Sequence, residues 1–152
     1  MKDYRYIPKS VLEQWIHPHH SNYNTLTNYA WINFREVKFL PSEASFETLK
    51  DVYVVEDFRP YVESRGSCID FEQFCCIDKD LEYWKENGTW RVPPIILDNS
   101  SLKNNAPKWS EIKNNYQLVE GHSRLGYLFS MKRINQNGKW RIAENHKVWI
   151  MK

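Results

Sequence analysis

One short segment of the chain combines an acid, a glycine, a histidine, a hydroxyl and an arginine; it reads Glu120, Gly121, His122, Ser123 and Arg124. The apolar run Tyr116–Val119 before it is typical of a strand, and the spacing of apolar residues from Ser123 to Met131 is typical of a helix. A helix that starts directly after a glycine turn has free amides and the positive end of its dipole at that turn. The segment therefore predicts a pocket for a phosphate or a similar anion.

Each side chain of this turn has an expected role. Gly121 allows close approach of the backbone or a positive φ, and Arg124 offers a planar fork of donors that suits phosphate oxygens. Ser123 is expected to cap the helix or to bind a phosphate, and His122 to donate a hydrogen bond or to carry a proton near neutral pH. Glu120 is a general base, a magnesium ligand or the salt-bridge partner of Arg124. The alternative to an anion site is a structural turn whose arginine pairs with a local carboxylate.

The elements that must position the turn are predicted from periodicity and capping residues. Asp78–Asn87 has acids at its start and Gly88 after its end, which indicates a helix. Val92–Leu97 is a strand entered through prolines, and His146–Ile150 predicts a last strand. These elements indicate an α/β (α+β) domain with a small mixed sheet flanked by helices.

The first half of the chain gives weaker signals. Ser10 is expected to cap a short helix that ends at His17-Pro18, and His19–Asn28 has no period and predicts an irregular loop. Val52–Val55 predicts a buried strand, and Pro60 predicts a break in regular structure.

Three motifs follow one another in the second half of the chain: Asn87-Gly88 after a helix, the proline-entered strand Val92–Leu97, and the turn Glu120–Leu125 after an apolar strand. In this order they resemble the ParB/sulfiredoxin (ParB N-terminal-like) superfamily. Its members pair a helix, glycine, proline and strand unit with a Gly-x-x-Arg turn. The length of 152 residues, with no internal repeat and no shift in composition that marks a linker, indicates a single domain over residues 1–152. The resemblance places a ParB/sulfiredoxin-like core at about residues 78–152 and leaves residues 1–77 unmatched.

The resemblance also implies a function for the turn. ParB-like members bind nucleoside triphosphates there and contact DNA, so Gly121, His122 and Arg124 are implied phosphate contacts, Glu120 an acid or base, and ATP or CTP with Mg²⁺ the cofactor. Phosphoryl transfer or nucleotide hydrolysis would follow. Sulfiredoxins have a reactive cysteine where this chain has His122, and related serine kinases have a second histidine where it has Ser123. These departures leave open whether the protein is an enzyme.

Composition limits the partners. The chain has 21 Lys and Arg against 19 Asp and Glu, a net charge of +2, which is too even to predict a surface that coats nucleic acid. DNA is therefore less expected than a nucleotide or phosphorylated small molecule. No apolar run reaches the roughly 18 residues of a membrane helix, and the three cysteines are expected to be reduced, so a cytoplasmic protein without a membrane partner is predicted.

Two other classes of function remain. A non-enzymatic immunity or antitoxin-like protein would neutralise a toxin by direct binding, and the seven Trp and nine Tyr would suit such an interface. A nuclease or DNA-binding protein comes third, because no paired carboxylates flank the turn at convincing metal spacing. The histidines His17, His19 and His20 are expected to lie in a solvated loop, so no metal ligand is predicted.

Overall fold

The computed structural model describes residues 6–102, 106–113, 115–138 and 140–152. Four strands form one sheet in the order β1, β4, β2, β3; they are β1 (Phe39–Ser45), β2 (Ile95–Asp98), β3 (Tyr116–Glu120) and β4 (Asn145–Met151). β4 is antiparallel to β1 and parallel to β2, and β2 is antiparallel to β3. The expected α/β (α+β) domain with a small mixed sheet is confirmed.

Helices lie on both sides of the sheet. They are α1 (Lys9–Val11), α2 (His17–His19), α3 (Tyr23–Tyr29), α4 (Phe46–Leu49), α5 (Arg59–Gly66), α6 (Asp78–Asn87) and α7 (His122–Ile134). A π-helical turn, Leu12–Ile16, joins α1 to α2, so residues 9–19 form one continuous helical segment. Short 3-10 turns occur at Glu56–Phe58, Phe71–Gln73, Asn99–Leu102 and Asn135–Asn137. Among the described residues, no helix is long and apolar enough to cross a membrane.

Two hydrophobic clusters cover the two faces of the sheet, since alternate residues of a strand point to opposite faces. Ile96 belongs to the cluster that contains Trp84 and Leu128, from α6 and α7. Ile95 and Leu97 belong to the other, which the first half of the chain supplies with residues such as Val11, Trp15 and Tyr29. The first half of the chain, which the resemblance to the ParB/sulfiredoxin superfamily leaves unmatched, therefore completes the core around the same sheet.

The predictions for the second half of the chain hold closely. Helix α6 has the predicted bounds, and Gly88 ends it in the left-handed conformation with φ 63°. A Cβ at Gly88 would lie 2.2 Å from the carbonyl oxygen of Arg141, so the close approach of residues 141–142 also requires glycine. Strand β2 begins at Ile95, three residues later than predicted, because the prolines cannot donate to the sheet. The Pro94 carbonyl still accepts a hydrogen bond from the Trp149 amide at 2.8 Å.

Several predictions for the first half are wrong. Ser10 lies inside the helical segment, which starts after Pro8 and continues through Pro18 to His19, so it is not a cap. The predicted loop at residues 19–28 contains most of α3, whose start is capped by Asn22, the side chain of which accepts from the Thr25 amide at 3.0 Å. Asparagine is common both in loops and at helix N-caps, so composition alone does not distinguish the two.

Two further corrections concern the region before α6. Pro60 does not break regular structure, because it lies in the first turn of α5, where a helix needs no amide donor. Of the predicted strand Val52–Val55, Tyr53 alone makes a sheet contact, an isolated parallel bridge to Gln117. Tyr53 thereby covers part of the free edge of β3.

Helices α5 and α7 cross at very short range. A Cβ at Gly126 would lie 2.6 Å from the carbonyl oxygen of Val62 and 2.6 Å from the Cβ of Arg65. The Ser130 hydroxyl of α7 also donates to the Arg65 carbonyl at 2.6 Å. This contact fixes α7, and with it the turn at the start of α7, against the rest of the molecule.

Candidate functional site

The predicted turn lies where β3 ends and α7 begins. Gly121 joins them with φ 105° and ψ 26°, a conformation that side chains other than glycine rarely adopt. A Cβ at this position would also lie 2.5 Å from the Cβ of Pro94. Both expectations for Gly121, a positive φ and a close approach, are confirmed.

A pocket of about 470 Å³ opens at this turn. The segment from Val119 to Arg124 and Tyr127 line it. The other lining residues come from the part of the chain before β2: Gln14, His19, Asn22, Thr25, Phe58, Tyr61, Cys75, Cys76 and Asp80. A pocket of this volume matches those that hold small-molecule ligands and cofactors. The sequence motifs indicate the lining residues from Glu120 to Arg124 and do not indicate those from the part of the chain before β2.

The start of α7 carries no side-chain cap. Gly121 is its N-cap residue, and Ser123 lies within the first turn, so the expectation that Ser123 caps the helix is wrong. Ser123 lines the pocket instead, which leaves its other expected role as a contact to a bound anion. Because α7 has 13 residues, its uncapped amides and its dipole make this end of the pocket favourable for negative charge.

Arg124 projects back toward the strand end. Its Nη2 lies 3.6 Å from Oε1 of Glu120 and donates to Oε1 of Gln14 at 2.8 Å. The side chains of Arg124 and Glu120 are each 20% exposed, so this is a half-enclosed pair rather than a solvent-screened one. Of the roles considered for Glu120, the ion pair with Arg124 is the one that the structure shows.

Glu120 has a second partner from the first half of the chain. Its Oε2 lies 3.3 Å from Nε2 of His19. Burial raises the pKa of Glu120, and the electrostatic interactions with Arg124 and then with His19 oppose that rise. The carboxylate therefore takes up a proton at a higher pH than an exposed glutamate would.

His122 is almost enclosed, with 9% of its surface exposed. Its ring packs on Phe58, with centroids 4.5 Å apart and planes 37° apart, and Nε2 has no hydrogen-bond partner among the described residues. Burial, followed by the nearby charges of Arg124 and His19, lowers the pKa of His122 to about 3. The imidazole is therefore neutral at pH 7, and its buried Nε2 atom is left without a hydrogen-bond partner beside the pocket.

The carboxylates of the pocket are poorly suited to hold a magnesium ion by themselves. Glu120 is shared by Arg124 and His19, and Asp80 accepts from Nε of Arg91 at 2.6 Å. No group of three or more histidine, cysteine or acidic side chains within the described part of the chain is placed to hold a metal.

The histidine cluster near residue 19 is placed differently from the expectation. His20 hydrogen bonds through Nδ1 to the His17 carbonyl at 2.8 Å, which closes the end of the helical segment. His19 lies in the pocket beside Glu120. The role of His19 in the site depends on the packing of the N-terminal segment and could not be read from its local sequence.

Comparison with known proteins gives no match to a family model, to a curated protein or to a solved structure. The likeness to the ParB/sulfiredoxin superfamily thus depends on the three sequence motifs.

Proposed function

We propose that the pocket binds a nucleotide or another phosphorylated ligand at the Gly-x-x-Arg turn from Gly121 to Arg124. The observation that carries this proposal is the meeting of an uncapped helix start, a half-buried arginine and a buried histidine with an unsatisfied ring nitrogen around one pocket of about 470 Å³. Helix starts bind phosphates through their free amides, and arginine adds a charge-assisted fork.

The surroundings of the turn suggest how the ligand would lie. Phosphate oxygens would accept from the first amides of α7, from the Ser123 hydroxyl and from Arg124. The rings of Phe58 and Tyr61 line the same pocket, and Tyr61 is 57% exposed, so a nucleobase could stack at this wall. ATP or CTP, with Mg²⁺ carried mainly by the phosphates, fits this arrangement.

A chemical role for the site is a further part of the proposal. Glu120 is the acid or base we infer, because burial raises its pKa and it adjoins Arg124. His122 is inferred to act as a neutral hydrogen-bonding group, since its depressed pKa does not suit proton transfer near pH 7. Phosphoryl transfer or nucleotide hydrolysis would use these groups.

Calorimetric titration tests the proposal. The purified protein would be titrated with ATP, CTP and their diphosphates, with and without Mg²⁺, alongside Arg124→Ala. Arg141→Ala is the matched control, because Arg141 is exposed and does not line the pocket. We expect saturable binding that Arg124→Ala weakens by about tenfold or more and that Arg141→Ala leaves unchanged. No heat with any nucleotide would overturn the proposal.

A second candidate function, an immunity or antitoxin-like protein, has separate support. Among the described residues, three large apolar side chains are more than 70% exposed: Tyr23 at 79%, Ile69 at 73% and Trp109 at 72%. Such side chains are common anchors in protein interfaces. The test begins with a search for a toxin gene beside the gene of this protein, followed by co-expression of the two products. Neutralisation that is lost in a triple variant with serine at these positions would support this function, and neutralisation that is retained would argue against a role for these side chains.

A further inference from the structure

Gln14 contacts both sides of the candidate turn. Its Nε2 donates to the Pro93 carbonyl at 3.0 Å, and its Oε1 accepts from Nη2 of Arg124 at 2.8 Å. A glutamine amide has one donor end and one acceptor end, and here a carbonyl requires the donor while a guanidinium requires the acceptor. The two contacts therefore fix the amide in one orientation, with its oxygen toward Arg124.

The backbone that carries Gln14 is itself held in place. Gln14 lies in the π-helical turn Leu12–Ile16, and turns of this type are rare and frequent at functional sites. On either side of it, Val11 is fully buried and Trp15 is 2% exposed in the cluster against the sheet. The segment therefore presents Gln14 to Arg124 from a packed support.

The partners of Arg124 differ in charge. Glu120 is a carboxylate at 3.6 Å, which competes with an incoming phosphate for the guanidinium. Gln14 is a neutral acceptor at the shorter distance of 2.8 Å, and it holds the guanidinium without cancelling its charge. Without Gln14, Arg124 would be free to close onto Glu120, and fewer of its donors would face the pocket.

We propose that Gln14 is a positioning residue for anion binding, which binds Nη2 of Arg124 and keeps the guanidinium from closing further onto Glu120, so that it can also contact a bound phosphate. This inference rests on the proposed function of the pocket. It makes residues 9–19 part of the site, although these residues lie far from the turn in sequence.

Two substitutions at this position test the proposal by calorimetry with ATP and with CTP. Gln14→Ala removes both hydrogen bonds and is expected to weaken binding about fivefold to tenfold. Gln14→Glu keeps the shape and adds a negative charge beside Arg124, so it is expected to weaken binding by more than tenfold. Glu13→Ala is the control, because Glu13 is 65% exposed on the same segment and pairs with Lys9 rather than with the site.

A double variant separates positioning from a general structural effect. If Gln14 acts through Arg124, then Gln14→Ala with Arg124→Ala binds no more weakly than Arg124→Ala alone. An added loss in the double variant would overturn the inference, as would unchanged binding in Gln14→Ala and Gln14→Glu. In either case loss of binding in Arg124→Ala would leave the proposed function standing, whereas a wild type that binds neither nucleotide would overturn both. If Gln14→Ala fails to fold, Gln14→Glu takes its place beside Arg124→Ala and in the double variant, and unchanged binding in Gln14→Glu overturns the inference.

Discussion

The buried histidine of the site gives a prediction that links stability, pH and ligand. The pKa of His122 is lowered from 6.5 to about 3 in the folded protein. A depressed folded pKa means that the unfolded chain binds the proton more tightly. The stabilising contribution of neutral His122 is therefore complete above about pH 6.5 and is lost progressively as the pH falls from there toward 3.

The magnitude follows from the same pKa. At pH 5 the His122 imidazole is mostly protonated in the unfolded state and almost entirely neutral in the folded state. Lowering the pH from 7.5 to 5 therefore reduces the free energy of unfolding by about 2 kcal/mol through His122. Urea unfolding at the two pH values, followed by the fluorescence of the seven tryptophans, measures this. His122→Gln should lose about 2 kcal/mol less than the wild type between pH 7.5 and pH 5.

A second buried histidine provides the control. His146 is fully buried outside the pocket, hydrogen bonds through Nδ1 to Thr89 at 2.8 Å, and has a pKa lowered by burial to about 4. His146→Gln should remove a similar share of the pH dependence. Saturating ATP with Mg²⁺ should reduce the acid sensitivity that depends on His122, because a bound anion stabilises the imidazolium, and should leave the part that depends on His146 unchanged. An identical pH dependence in wild type and His122→Gln would refute the reasoning.

Two further predictions concern glycines that fix the turn. Gly126→Ala places a Cβ 2.6 Å from the Val62 carbonyl and should destabilise the fold by about 1–3 kcal/mol in urea unfolding; an unchanged midpoint would contradict the close crossing of α5 and α7. Gly121→Ala adds strain at φ 105° and a contact of 2.5 Å to Pro94, so nucleotide affinity should fall at least about tenfold in calorimetry. Unaltered affinity would show that the turn can shift without affecting the pocket.

The elements that could be predicted are those whose signals are local. The acids at the start of α6 and the left-handed Gly88 after it act within one turn of the helix, and the structure places both as expected. The glycine turn at Gly121 is also determined locally, by a strand that ends and a helix that starts. Such local signals predict the structure correctly because no contact between distant segments favours a different conformation.

The missing parts of the site depend on contacts between distant segments. Gln14 reaches Arg124 across 110 residues, and no periodicity or capping rule indicates such a pair. Pro60 does not identify the start of α5 from sequence, because a proline is compatible with the first turn of a helix and also with the end of one. Phe58, which directly precedes that helix, packs on His122 in the folded chain and lines the pocket. This contact depends on the position of α5 in the fold, so no local pattern around Phe58 indicates it.

Amide chemical shifts measured during titration with ATP and with CTP test the central claim most directly, because they report where each nucleotide binds. The account predicts that the largest shifts fall on the amides of His122, Ser123 and Arg124, with smaller shifts at Gln14, and that Arg124→Ala abolishes them. Shifts that cluster outside the pocket, or no shift with either nucleotide at saturating concentration, would contradict it.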